Sequence, residues 1–176
     1  LEADLDQATD SQWGSSFISL GARSAVITDN LIRVNLKTGY DNTDGISAIG
    51  GYNNGQPIPG THIRIYGNDI HITSNDVVPV MGIGLDDLGE GSSAEIENNT
   101  ITIKAPEATG IGLGLCHGVL AANNRISLQA SDPVVIGVGD TVTGTIANNT
   151  IVARDPGGIP LGVCIDAGAD PSSLQM

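Results

Sequence analysis

The sequence predicts an all-β fold, a right-handed parallel β-helix of about five coils, and three observations carry that expectation. A short phrase recurs: Asn98-Asn99-Thr100-Ile101, Asn148-Asn149-Thr150-Ile151 and Asn123-Asn124-Arg125-Ile126, with looser copies at Gly67-Asn68-Asp69-Ile70 and Asp29-Asn30-Leu31-Ile32. The second residue of each copy falls at 30, 68, 99, 124 and 149, so the spacings are 38, 31, 25 and 25, a range typical of stacked repeats. Apolar residues alternate within each copy, as half-buried strands require. The 176 residues include 24 Gly but only one Phe, one Trp and three Tyr, and Ile, Val, Asn and Thr are plentiful, which favours strands joined by turns over helices.

Taken in order, residues 1–16 read as an N-terminal cap in which Leu1, Leu5 and Ala8 share one face of a short helical turn. Phe17-Ile18-Ser19-Leu20-Gly21 reads as the tail of an incomplete coil, residues 25–165 as the repeat coils and residues 166–176 as a C-terminal tail, all in one domain spanning 1–176. Three columns should point inward: Ile27, Ile65, Ile96, Ala121 and Ile146; Ile32, Ile70, Ile101, Ile126 and Ile151; and Val34, Ile72, Ile103, Leu128 and Ala153. Arg33, His71, Thr102 and Ser127 are their polar outward neighbours.

A second strand follows in each coil, at Ile46-Ser47-Ala48, Ile83-Gly84-Leu85, Ile111-Gly112-Leu113, Ile136-Gly137-Val138 and Leu161-Gly162-Val163. That alignment stacks Gly84, Gly112, Gly137 and Gly162 into one outward strip, bare enough for a backbone or a flat ligand to approach closely. Extra residues at 52–60 and from Asp86 to Ser92 read as loops leaving the first two coils; the expected binding loops are 41–60 and 84–92, because insertions in a solenoid collect on its flank.

The Asn column has a structural explanation. Asn tolerates the left-handed backbone of a sharp corner, and amides stacked about 4.8 Å apart can hydrogen-bond from coil to coil. Asn98-Asn99-Thr100 and Asn148-Asn149-Thr150 also satisfy the N-glycosylation rule, but a corner accounts for all five copies.

A formal charge of −13 argues against a nucleic-acid partner, since phosphate contacts need clustered Lys and Arg. The longest apolar stretch, Gly110 to Ala122, is interrupted by His117 and is shorter than the roughly 20 residues a membrane span needs, so no insertion into a bilayer is expected. The chain starts without Met, which reads as a processed or excised segment. Cys116 and Cys164 make neither a disulfide framework nor a zinc spacing and read as small buried hydrophobes. The run Gly110-Ile111-Gly112-Leu113-Gly114-Leu115 fails the dinucleotide fingerprint, with Leu115 and His117 where that motif needs Gly.

The phrase Ile96-Glu97-Asn98-Asn99-Thr100-Ile101-Thr102-Ile103 resembles the apolar-x-x-Asn-x-Ile-x-apolar repeat of the pectin-lyase-like superfamily, over residues 25–165. The resemblance implies a parallel β-helix; it describes scaffold, not chemistry. A second resemblance is to polygalacturonases, in which Asn-Thr-Asp, Asp-Asp, Gly-His-Gly and Arg-x-Lys follow one another. Here Asn42-Thr43-Asp44-Gly45, Asp86-Asp87 and Cys116-His117-Gly118 stand in that order. It would make Asp44, Asp86 and Asp87 the carboxylates that protonate the leaving oxygen and activate water, tuned by His117. The heights disagree, however: Asp44 precedes its strand's first Ile by two residues, Asp86 follows by three and His117 by six. No Arg-x-Lys follows; Arg125-Ile126-Ser127 is the nearest substitute.

The remaining constellation is acidic: Asp86, Asp87, Asp140 and Asp166, with Asp41 and Asp44 near the first coil. Stacking would bring some of these within reach of a shared hard cation, and calcium at Asp86, Asp87 and Asp140 is the cofactor they suggest; the alternative is a solvated edge that keeps the chain in solution. His62, His71 and His117 show no ligand spacing. Two functions follow as expectations. One is an extracellular or cell-surface module that interacts with carbohydrate through Asp86, Asp87, Asp140 and Arg125, as a lyase or hydrolase if catalytic. The other is a structural solenoid, of the surface, adhesin, phage-fibre or filament kind, that self-associates through coil ends or the glycine strip.

Overall fold

Short alternating strands separated by polar corners cannot bury an apolar face alone, so they stack. The computed structural model describes residues 2–5, 15–36, 43–50, 52–53, 56–75, 79–139, 142–154, 161–165 and 174–175. Every regular element among them is a strand. In chain order these are β1 (Glu2–Leu5), β2 (Ser15–Ala22), β3 (Ser24–Thr28), β4 (Leu31–Leu36), β5 (Thr43–Gly50), β6 (Tyr52–Asn53), β7 (Gln56–Pro57), β8 (His62–Tyr66), β9 (Asp69–Ser74) and β10 (Pro79–Leu88). They continue as β11 (Ser93–Glu97), β12 (Thr100–Lys104), β13 (Glu107–Cys116), β14 (Val119–Ala122), β15 (Arg125–Gln129), β16 (Asp132–Val138), β17 (Gly144–Ala147), β18 (Thr150–Arg154), β19 (Leu161–Ile165) and β20 (Leu174–Gln175).

Three parallel sheets result. Sheet A runs β1-β4-β9-β12-β15-β18, sheet B runs β2-β5-β10-β13-β16-β19 and sheet C runs β3-β8-β11-β14-β17-β20. The chain visits C, A and B in turn, making five complete coils from Ser24 to Ile165, with β1 and β2 before them and β20 after. The fold is therefore a parallel β-solenoid. At the N-terminus the expected helical turn is replaced by β1, which pairs Glu2–Leu5 with Arg33–Leu36 of β4. A parallel partner satisfies the backbone of β4, and that gain overrides the local helical pattern; Leu1 and Ala8 lie outside the described residues.

The inward columns form one core. Ile32, Ile70, Ile101 and Ile126 are each 0% exposed, as are Ile65 and Ile96 in the neighbouring column. Each such side chain contributes about 1.5–3 kcal/mol relative to an exposed one. At β18 the column opens: Ile151 is 38% exposed, because β18 is the margin of sheet A.

The corner between sheets C and A divides its work between two residues. The residues with positive φ are Asp29, Gly67, Asn98, Asn123 and Asn148, at 55 to 67°, each one position before the residue read as the corner. The following Asn points inward instead. Asn30 Nδ2 donates to Asn68 Oδ1 (2.9 Å), Asn68 Nδ2 to Asn99 Oδ1 (2.9 Å), Asn99 Nδ2 to Asn124 Oδ1 (3.0 Å) and Asn124 Nδ2 to Asn149 Oδ1 (3.0 Å). The expected axial amide ladder exists, but the left-handed backbone belongs to its neighbour.

Sheet B bends. In β10, Gly82 and Ile83 are both buried, so two consecutive residues face inward and the strand turns between them. Gly45 and Gly110 occupy equivalent places, and a Cβ at Gly82 would stand 2.5 Å from Ile101 Cγ2 and 2.7 Å from Gly110 O. Only a residue without a Cβ lets sheet B close against the Ile column of sheet A at these rungs; the next rung carries buried Val135 instead.

Two further expectations change. The stretch from Asp86 to Leu88 does not leave the coil: it continues β10, with Leu88 paired to Cys116 and 1% exposed, so burial of Leu88 holds both acids on a strand. In the last coil, Gly137 pairs with Cys164 and Ile136 with Val163. Gly162 therefore leaves the outward strip and falls at the bend position. The bend places two consecutive residues inward, so alternation does not carry the register across it, and Leu161 moves to the groove margin opposite Val134.

Candidate functional site

Bending of sheet B and the bare outward strip produce a groove. Its volume is about 520 Å³, within the usual 300–1,000 Å³ range of ligand sites. The floor is Gly84, Gly112 and Gly137, continued by Ser47 at one end and Cys164 at the other. Along one margin stand Asp44, Met81, Thr109 and Val134, which pair in register across four strands. Asp86 and Gly114, themselves a register pair, stand on the other margin.

Local sequence explains each placement. Asp44 precedes the bend glycine Gly45, so its side chain faces out over the groove, opposite Met81 in register. Met81 in turn leans over the strip, its sulfur 2.7 Å from where a Cβ on Gly112 would be. Asp86 follows buried Leu85, and its Oδ1 lies 2.8 Å from the Cβ position of Gly114. The adjoining Asp87 has a left-handed φ of 56° and its backbone N–H donates to Asp86 Oδ1 at 2.9 Å.

The electrostatics follow from partial desolvation. Burial pushes the Asp44 carboxyl up from 3.8 to about 6, and a hydrogen bond with the Ser47 side chain pulls the other way. Asp86 is also raised, first by desolvation and then by the Asp87 charge, against the lowering effect of the Asp87 N–H. Cys116 ends β13 in the core, 0% exposed, with its Sγ donating to Gly114 O at 2.7 Å. Burial pushes its thiol up to about 12. It is the small buried hydrophobe the sequence suggested, whereas Cys164 is half-buried at the groove's end.

Among the sequence candidates, Asp44 and Asp86 share the groove. They are not level: Asp44 pairs with Met81, and Asp86 stands five residues farther along β10. Asp87 lies beside Asp86. His117 sits in the turn after β13, outside the groove lining, and Arg125 opens β15 on sheet A, paired with Thr100 and Thr150 on another face. Asp140, Asp41 and Asp166 lie outside the described residues. Among the described residues no group of three or more His, Cys, Asp or Glu could hold a metal ion.

Met81, Thr109, Val134 and Cys164 were missed as groove residues. The signal that could have found them is a repeated Gly-apolar pair at Gly45-Ile46, Gly82-Ile83, Gly110-Ile111 and Gly162-Val163, which marks the bend and sets the register on both sides of it. No protein-family model, no curated protein and no solved structure matches this chain.

Proposed function

We propose that this protein binds a linear carbohydrate chain along the glycine-floored face of sheet B. The observation that carries the reading is the groove itself: a bare backbone floor between an apolar margin at Met81 and Val134 and carboxylates at Asp44 and Asp86. From Ser47 to Cys164 the floor crosses five strands, about 19 Å at the usual strand spacing. A sugar ring offers an apolar C–H face to such a floor and hydroxyl donors to the acids at its margins. Binding, not cleavage, is the reading proposed, because no His, Lys or Arg stands with Asp44 and Asp86 among the described lining residues to tune a carboxyl pair for acid and base work. Action at an extracellular or cell surface would suit a polysaccharide ligand.

The test is calorimetry against an oligosaccharide panel with the wild-type chain and Gly137→Leu. A Cβ at Gly137 meets nothing closer than 3.5 Å, so the backbone there accepts a side chain, and a leucine would project into the groove. Binding is expected to be lost, with melting unchanged; a panel ligand bound equally by both proteins would remove the groove from the account.

A second reading, self-association as a structural solenoid, is favoured by the margin of sheet A, where β18 leaves Ile151 38% and Val152 37% exposed. Sedimentation over rising concentration tests it: Val152→Lys should abolish any oligomer, and a wild-type chain that stays monomeric throughout would count it out.

A further inference from the structure

We propose that the carbohydrate this groove takes carries free amino groups, a hexosamine polymer in place of a uronate or an uncharged glycan. The proposal rests on the glycan-binding reading above and adds the ligand's charge. The resemblance to pectin-degrading proteins points to an anionic ligand, and the groove's own chemistry points the other way. Its charged described lining residues are Asp44 and Asp86, one on each margin, with no Lys, Arg or His among the described lining residues. Asp87 adds a further negative charge beside Asp86, and the whole chain carries −13. A uronate laid on this floor would bring carboxylates against carboxylates within walls that exclude part of the solvent, where like charges repel more strongly than in bulk water.

Hydrogen-bonding capacity gives the same answer. Each groove carboxylate takes an internal hydrogen bond, Asp44 from Ser47 and Asp86 from the Asp87 N–H. An ionised carboxyl has about four acceptor sites and no donor, so the margins offer acceptors. An ammonium group is donor-only and complements them. A charge-assisted bond is roughly twice as strong as a neutral one, so each acid should favour an amine over an acetamide by about tenfold. Thr109, the polar neighbour on the Met81 margin, adds no charge that would oppose this preference.

The experiment compares four hexamers by calorimetry at about pH 6.5, above the value of about 6 to which the Asp44 carboxyl is raised: β-1,4-glucosamine, its N-acetylated form, oligogalacturonate and a lysine peptide. The free-amine sugar should bind at least about tenfold more tightly than the acetylated one. That advantage should vanish in Asp44→Asn/Asp86→Asn and all sugar binding in Gly137→Leu, with melting curves confirming that both variants fold. If the acetylated sugar or the galacturonate binds as tightly as the amine, and Gly137→Leu abolishes it, the amine preference is overturned while the glycan groove stands. If the lysine peptide binds as tightly as the amino sugar, simple charge attraction replaces sugar recognition and the proposal falls. If no sugar binds, or binding survives Gly137→Leu, the groove reading falls with it.

Discussion

Asn124 Oδ1 accepts two hydrogen bonds from Asn99, one from its side-chain Nδ2 and one from its backbone N–H, both at 3.0 Å. The same pair of contacts joins Asn68 to Asn99 and Asn124 to Asn149, and Asn99 Nδ2 also donates to Ile65 O. Every rung of the C–A corner is thus held by one side chain that satisfies buried backbone as well as its neighbour.

Truncating the ladder should be costly, and relaxing the residue before it should not. Asn99→Ala removes the acceptor of the Asn68 N–H and the donor to Ile65 O at a site where Asn68 and Asn99 are each 1% exposed, so unfolding in urea should show a loss of about 3 kcal/mol. Asn98 holds the φ of 56° and is exposed; Asn98→Gly should stay within about 0.5 kcal/mol of wild type, and Asn98→Val should lose about 1–2. Equal losses from Asn99→Ala and Asn98→Gly would mean that the two positions do not divide the corner's work.

The two kinds of glycine in sheet B should respond oppositely. A Cβ at Gly110 would stand 2.5 Å from both Ile126 Cγ2 and Val135 O, and Gly110→Ala should cost at least about 2 kcal/mol through overpacking. Gly137→Ala meets only ordinary contacts and should be neutral or gain up to about 1 kcal/mol from a stiffer unfolded chain. Thermal melts of the two variants measured together decide the matter; a stable Gly110→Ala protein would mean that the bend is not closely packed.

Asp44 ties stability to pH. Its carboxyl is raised to about 6 in the fold against 3.8 ordinarily, so between those values the native state holds a proton that the unfolded chain has released. Its contribution is neutral below the lower value, turns unfavourable as pH rises between the two, and stays unfavourable above about 6. Asp44→Asn should therefore stabilise the protein near pH 7, by about 1–2 kcal/mol once solvent screening is allowed for, and leave it unchanged near pH 3.5. Urea midpoints at both pH values check this, and a shift of the same size at each would detach Asp44 from the effect.

The two thiols should separate kinetically. Cys116 is 0% exposed and its thiol is pushed up to about 12, so it should react with an aromatic disulfide reagent only on unfolding. Cys164, half-buried in the groove, should react within the native state and be slowed by a bound oligosaccharide. Two equivalents released together from native protein would contradict the placement of Cys116.

The parallel sheets, the inward Ile columns and the amide ladder were legible in the sequence because each leaves a periodic mark: Ile32, Ile70, Ile101 and Ile126 stand two residues after successive ladder residues. The groove was legible only in part. Gly84, Gly112 and Gly137 were visible as a strip, but the register of Leu161–Ile165 was not, since two consecutive inward residues at the bend interrupt the alternation that would set it. The role of Gly45, Gly82 and Gly110 stayed hidden because an inward glycine looks like a defect until the neighbouring sheet it admits is known. The sequence places Asp86 in a loop because the coil from 68 to 99 is longer than the 25-residue ones that follow; it is the burial of Leu88 two positions later that keeps it on the strand.

In the amide ladder every hydrogen bond from one Asn side chain to the next is donated toward the Asn149 end and accepted from the Asn30 end. The column is a one-way chain of aligned dipoles, and it admits a new coil in one orientation only. A 25-residue unit such as 99–123, excised or duplicated whole, would leave donor facing acceptor at the joint. The same unit stacked in reverse would set oxygen against oxygen. Growth and shrinkage of such a solenoid are therefore confined to tandem copying, and the arrow of the ladder is what permits it.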